Sequence, residues 1–189
     1  MELEKAIEIV RNRSSAKRFQ HVLGVVDAAA MLADRFGCDR EKAMLAAALH
    51  DIAKCETKER LHELMITAGL PQELLSYQVE LWHAPVGAYI TQAELSVIDP
   101  DILTAIRFHT TGRANMSLLE KVVFLADYIE LGRTTPRVEE CRQLAEANLD
   151  QAMIFAYQRT IEHLLQQQMA IHPDTILGYN DLVNTGVSE

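Results

Sequence analysis

His50 and Asp51 stand side by side at the end of an apolar, alanine-rich stretch, LAAALHDIAK over residues 45–54. A histidine nitrogen and a carboxylate each cost free energy to bury without a partner, and one divalent cation satisfies both. A single pair of this kind is equally what a hydrogen-bonded helix terminus looks like, so the rest of the chain decides between the readings. His21, His83, His109 and Asp127 stand elsewhere in the sequence, each on its own helical segment. Oxygen and imidazole donors without thiolate suit iron or manganese and are compatible with zinc. A divalent ion held by such a set lowers the pKa of water toward about 7 and polarises phosphoryl oxygens, the chemistry of phosphate hydrolysis. Lys54 lies four residues after His50, and Arg133 lies just beyond the helix that carries Asp127. Both are candidates to hold phosphate oxygens beside a metal, Arg133 through its planar fork of donors.

These side chains need helices to position them, and the apolar periodicity supplies helices throughout. Leu3, Ile7 and Val10 mark a first helix over residues 2–11. Phe19, Val22, Leu23, Val26, Ala30 and Ala33 mark a second over 16–36, with His21 beside its apolar face and Gly37 as its C-cap. The alanine-rich helix is expected from Glu41 to about Lys54, which puts Lys54 on the face of His50. A short helix follows over 57–68, closed by Gly69. Pro71 then opens a helix reaching His83, with a restart or kink at Pro85. Asp99 and Pro100 form an N-cap and first-turn pair for DILTAIRFH, which leaves His109 at a helix C-terminus. Ser117 and Glu120 make a capping box for SLLEKVVFLADYIELG, where Asp127 interrupts a very apolar helix and calls for a cation or strong donor beside it. Pro136 is expected to start a further helix, Asn148 to cap a long one running to about Met169, and Pro173 to open the last. No alternating β-branched run with hairpin turns occurs, so the expected fold is all-α, a compact multi-helix bundle forming a single domain over residues 1–189.

With 18 basic against 27 acidic residues and a formal net charge of -9, the chain as a whole repels a nucleic-acid backbone. Polymeric nucleic acid is therefore excluded as a partner, while a small phosphorylated ligand needs only a local cluster of cations. Cys38, Cys55 and Cys141 are widely separated and lack CxxC spacing, which fits a reducing compartment. The N-terminal MELEKAIEIVRNR is not a targeting segment and no apolar run reaches spanning length, so a cytoplasmic protein with no membrane partner is expected. His62 and His163 receive no role.

The ordered set His21, His50 with Asp51, His83, His109 and Asp127 resembles the HD superfamily of metal-dependent phosphohydrolases, in the subset with room for two metals. HVLGV at 21–25, HDIAK at 50–54, HAPVGA at 83–88, HTTG at 109–112, MSLLEK at 116–121, ADYIELGR at 126–133 and IHPDTILGYN at 171–180 narrow the resemblance. They are similar to the bacterial HD-type symmetrical diadenosine tetraphosphate hydrolases. Two departures stand out: that family usually has Pro-Gly where Pro136 and Arg137 stand, and alanine where Gly178 stands.

The resemblance implies hydrolysis of diadenosine tetraphosphate at its central linkage to two ADP, with iron favoured over manganese and one or two ions bound. His21, His50, Asp51 and Asp127 would hold the first ion, with Asp51 placed to bridge. His83 and His109 would either ligate a second ion or hydrogen-bond a substrate phosphate. Asp51, Lys54, His83 and His109 are the expected catalytic residues. Lys54, His83, His109, Thr110, Arg133, His172 and Thr175 are the expected substrate contacts, the IHPDT segment closing over a nucleoside. The expected partner is a dinucleoside polyphosphate or another nucleotide, and a homodimer is left open. The rival readings are another HD nucleotide phosphohydrolase, a di-iron oxygenase and a non-catalytic nucleotide-binding module.

Overall fold

The computed structural model describes residues 1–186. In chain order its helices are α1 (Leu3–Arg13), α2 (Ala16–Phe36), α3 (Arg40–Leu49), α4 (Lys58–Thr67), α5 (His83–Ala93), α6 (Pro100–Phe108), α7 (Leu118–Ile129), α8 (Val138–Ala147), α9 (Leu149–Gln166) and α10 (Pro173–Gly186). No strand occurs among the described residues. Side chains at the helix starts satisfy backbone N–H groups that lack an intrahelical acceptor. Ser15, Asp39, Thr57 and Asn148 each accept from the N–H three residues on, and Ser117 with Glu120 forms the full capping box.

α3 is the hub, packing against α1, α2, α6 and α7. Ala43, Ala46, Ala47 and Ala48 are completely buried, and their small side chains let those neighbours approach closely around its C-terminal end. α2 also packs on α7, and α6 on both α5 and α7, so the ends of five helices meet at one place. Apolar side chains such as Leu32, Leu49, Ile106 and Leu125 fill the space between them.

Several boundaries differ from the periodicity. α3 stops at Leu49 instead of running to Lys54, because the His50 ring donates from Nδ1 to the Ala47 carbonyl at 2.6 Å and takes the acceptor that the next helical turn needs. Asp51–Cys55 continue as tight turns, closed by Ile52 N–H to Leu49 O and Lys54 N–H to Asp51 O. Lys54 therefore reaches the site from a turn, not from the helical face of His50. After Pro71 the chain makes two short 3-10 segments, Gln72–Ser76 and Val79–Leu81, and α5 begins at His83 where a helix was expected to end. Pro85 lies in the first turn of α5, where its missing N–H removes no helical bond. α8 begins two residues after Pro136, behind Arg137 in the left-handed conformation at φ 63°. Glycine adopts that conformation without strain, which accounts for its usual presence there in the resembled family.

Candidate metal centre

Each candidate ligand is carried to the common meeting point by a helix end or an inward helix face. His21 lies on α2, His50 and Asp51 at the end of α3, His83 at the start of α5, His109 at the C-cap of α6 and Asp127 near the end of α7. Asp51 lies between two pairs of histidines. Its Oδ2 is 3.4 Å from His50 Nε2 and 3.8 Å from His21 Nε2, while its Oδ1 is 3.0 Å from His83 Nε2 and 3.7 Å from His109 Nε2. Asp127 Oδ1 lies 3.0 Å from His21 Nε2 and 4.0 Å from His50 Nε2.

The far side of each ring fixes which nitrogen is offered. His50 Nδ1 donates to Ala47 O at 2.6 Å and His109 Nδ1 to Ile106 O at 2.7 Å, so each presents an Nε2 lone pair to the centre. His21 Nδ1 lies 3.0 Å from Glu130 Oε1, the carboxylate–imidazole pairing that orients ligating histidines. The Nε2 atoms of His21 and His50 are buried and have no hydrogen-bond partner. Orphaned buried acceptors of this kind are costly, and a shared cation removes the cost. Two adjacent ligands on an ion with bonds of about 2.1 Å stand roughly 3 Å apart, which matches His21 Nε2 and Asp127 Oδ1 at 3.0 Å. His21, His50 and Asp127 form one compact donor group and His50, Asp51 and His109 another. The residues present thus fit a divalent ion, and the two oxygens of Asp51 face both halves of the cluster.

Charge supports the same arrangement. Burial works to raise the Asp51 carboxyl, but the adjacent His50 and His83 rings hold it well below the usual carboxylate range. Burial likewise works against ionised Asp127, and the adjacent His21 ring and the Arg133 charge outweigh it. Burial alone would lower His50, yet adjacent Asp51 raises it. Burial pushes His83 down, and it pushes His109 down to about 3 with help from the charges of His50 and His83.

A cleft of about 240 Å³ opens over this floor, walled by Arg18, Lys54, Thr110, Phe124, Tyr128 and Arg133 among others. Lys54 Nζ sits 3.3 Å from His83 Nδ1, and burial lowers its pKa against the pull of Asp51. Arg133 donates from Nε to the Asp127 carbonyl at 3.0 Å and from Nη2 to the Asp127 carboxylate. Thr110 and Leu81 also border a neighbouring pocket of about 100 Å³ that contains His172. His172 packs against the Tyr77 ring at 4.8 Å and accepts from the Asp174 N–H at 3.3 Å. Thr175 is buried at the start of α10 and lines neither space.

Two functional neighbours escaped the sequence reading. Arg18 donates from Nη1 to Asp51 Oδ2 at 2.7 Å, and Glu130 receives the His21 ring. Arg18 precedes His21 by three residues and Glu130 follows Asp127 by three, so helical spacing from a ligand was the available signal. Gly24 makes room for Glu130: a Cβ there would fall 2.6 Å from Glu130 Oε2.

Comparison with known proteins agrees with this geometry. The HD domain family matches residues 18–132, from Arg18 through Gly132. The symmetrical bis(5'-nucleosyl)-tetraphosphatase of Bacillus subtilis is 46% identical over 184 residues, covering 97% of this chain and 99% of that protein. The symmetrical bis(5'-nucleosyl)-tetraphosphatase of Halalkalibacterium halodurans is 46% identical over 95% of this chain and 96% of its own length. A crystal structure from Clostridium acetobutylicum, described as a predicted HD superfamily hydrolase involved in NAD metabolism, superposes with a TM-score of 0.92 at 36% identity, covering 98% of both chains. With the histidine–aspartate cluster inside the matched residues, the chain belongs to the HD-domain family of metal-dependent hydrolases, among the symmetrical bis(5'-nucleosyl)-tetraphosphatases.

Proposed function

We propose that the protein hydrolyses diadenosine tetraphosphate at its central phosphoanhydride to give two ADP. The observation that carries the reading is the buried, partnerless Nε2 of His50 between two ionised carboxylates, at the floor of a cleft rimmed by Arg18, Lys54 and Arg133. When bound, a divalent ion supplies Lewis acidity and lowers the pKa of water, so that water can attack phosphorus near neutral pH.

The chain's own groups do the rest. His21, His50, Asp51 and Asp127 hold the first ion, and Asp51 presents its second oxygen to His83 and His109. Arg133 and Lys54 bind the equatorial phosphate oxygens, where charge accumulates as the bond to the leaving phosphate breaks. Arg18 adds a third cation at the same rim. His83 donates a hydrogen bond from Nε2 to a phosphate oxygen, and Thr110 adds a hydroxyl or backbone donor. His172, on the IHPDT segment, forms the side that receives one nucleoside, and Thr175, buried at the end of that segment, does not line the pocket. That role is supported by the pocket that His172 shares with Thr110.

Iron is the metal of this reading, favoured by the family resemblance, with manganese as its substitute; the nitrogen and oxygen donor set suits both and is compatible with zinc. A cytoplasmic location is supported by three free cysteines, and no helix among the described residues is long and apolar enough to cross a membrane. Incubating metal-replete protein with a panel of dinucleoside polyphosphates in oxygen-18 water, and separating the products by anion exchange, tests the function. The expected result is ADP alone from the tetraphosphate, one of the two carrying the label. Formation of AMP with ATP, or no cleavage with iron or manganese present, rejects it.

A further inference from the structure

A central cut requires two exits from the metal centre, because the two halves of the substrate leave the attacked linkage in opposite directions. One exit is the small pocket beyond Thr110 that contains His172. The other side opens into a much larger groove of about 1350 Å³, running between α2 and the segment from Ile129 to Glu146. Arg18 and Arg133 line both this groove and the metal cleft, and the metal-facing His21 lines the groove, so the two spaces adjoin at these side chains.

We propose that this groove is the subsite for the second nucleoside, the arm released as ADP from the far side of the cut. The inference rests on the phosphohydrolase reading above and adds to it where the other half of the substrate lies.

Three features carry it. The first is reach. Lys17, Gln20, Gly24, Asp27 and Met31 recur at three- and four-residue spacing on one face of α2, and from His21 to Met31 that face extends about 15 Å. The second is charge order. Lys17, Arg18 and Arg133 stand at the metal end, while Asp27, Glu139 and Glu146 stand farther along, where the one cation among the described lining residues, Arg142, is committed to backbone carbonyls and to Glu139. An ADP arm has the same polarity, with anionic phosphates next to the cut and a ribose and base that donate hydrogen bonds beyond them. The third is a fixed opposite wall. Arg142 donates to the carbonyl oxygens of Ile129, Glu130 and Arg133 at 2.8, 2.7 and 3.1 Å, which holds the loop in place with Leu131 86% exposed, and Met31 on the α2 side is 43% exposed. Apolar side chains in a wall with a few polar groups are the usual lining of a nucleoside site.

The test compares diadenosine tetraphosphate with adenosine 5'-tetraphosphate, which offers the same phosphate chain without the second nucleoside. Gln20→Trp narrows the groove from exposed α2, and Leu131→Glu places a charge on the opposite wall at a largely solvent-exposed position. The expected result is that the preference in kcat/KM for the dinucleotide over the mononucleotide falls about tenfold, mainly through KM, in at least one variant. Turnover of adenosine 5'-tetraphosphate reports that each variant is folded and loaded. An unchanged preference in both variants, whether both substrates are lost together or neither is affected, overturns the subsite and leaves the hydrolase reading standing. Wild-type protein that cleaves neither substrate overturns the hydrolase reading and the subsite with it.

Discussion

His83 and His109 turn the same ring atom toward each other, Nε2 to Nε2 at 3.1 Å. Two lone pairs cannot share that distance without a proton or a cation between them. His109 commits its Nδ1–H to Ile106 O, so its Nε2 is the acceptor. His83 has the Lys54 ammonium at its Nδ1, which places its own proton on Nε2, directed at His109 and at Asp51 Oδ1. Lys54 thereby selects the tautomer in which His83 can donate to a phosphate oxygen.

Lys54→Met is expected to retain its metal and lose kcat by about 10² to 10³, the size seen when one donor to developing charge is removed. Steady-state product formation beside elemental analysis of the same sample checks it. Wild-type kcat in a fully loaded variant would take Lys54 out of the reaction.

The ligand assignment predicts loss of metal and of metal-linked stability together. In wild type, an ion at 100 times its Kd raises folding stability by about 2.7 kcal/mol. His50→Ala and Asp127→Ala should show no such increment in thermal scans with and without metal. Glu130→Gln should keep the site but weaken it about 10- to 100-fold, because the carboxylate only orients His21. Chelator competition separates these cases.

Arg133 holds Asp127 by two bonds from one guanidinium, and it also borders the cleft. Arg133→Lys should fold and bind metal, yet lose about 2 to 4 kcal/mol of transition-state stabilisation, since a point charge cannot make the planar, paired contacts. Unaltered kcat/KM in this variant would assign Arg133 to the Asp127 contact alone.

The pH dependence of the metal-free protein follows from His109, held down to about 3 by burial and by the neighbouring His50 and His83. Unfolded, the same ring takes a proton near 6.5. Between those values the unfolded chain binds more protons, so this residue makes stability fall as pH drops below about 6.5, by up to about 1.4 kcal/mol per pH unit. His50, raised by Asp51, opposes the trend. Unfolding of the metal-free protein between pH 7 and pH 4 should therefore show a shallower acid loss in His109→Gln than in wild type. Parallel profiles would contradict the buried neutral ring.

Gly178 is required by Tyr157. A Cβ at residue 178 would fall 2.4 Å from Tyr157 Oη and 2.9 Å from the Arg113 carbonyl. Gly178→Ala should cost about 1 to 3 kcal/mol by urea unfolding, and Tyr157→Phe in the same chain should recover part of it. An unchanged urea midpoint would show that the 157–178 contact yields freely.

Much of the fold and the donor set were legible locally. Caps at Ser117, Asn148 and Asp99 depend on residues a few positions away, and the His-Asp pair at 50–51 declares its donor chemistry by residue type alone. Lys54 illustrates the limit. It lines the cleft from a turn and not from a helical face, because the bond from the His50 ring to Ala47 O ends α3, and periodicity does not encode that competition. Arg18 with Asp51, 33 residues apart, and His21 with Glu130, 109 apart, come together only when α2 packs on α3 and α7. The sequence therefore specified which atoms could bind a metal. Tertiary packing decided which nitrogen each ring offers, which cations neutralise the carboxylates and where the grooves leave the centre, since all three depend on neighbours distant in the chain.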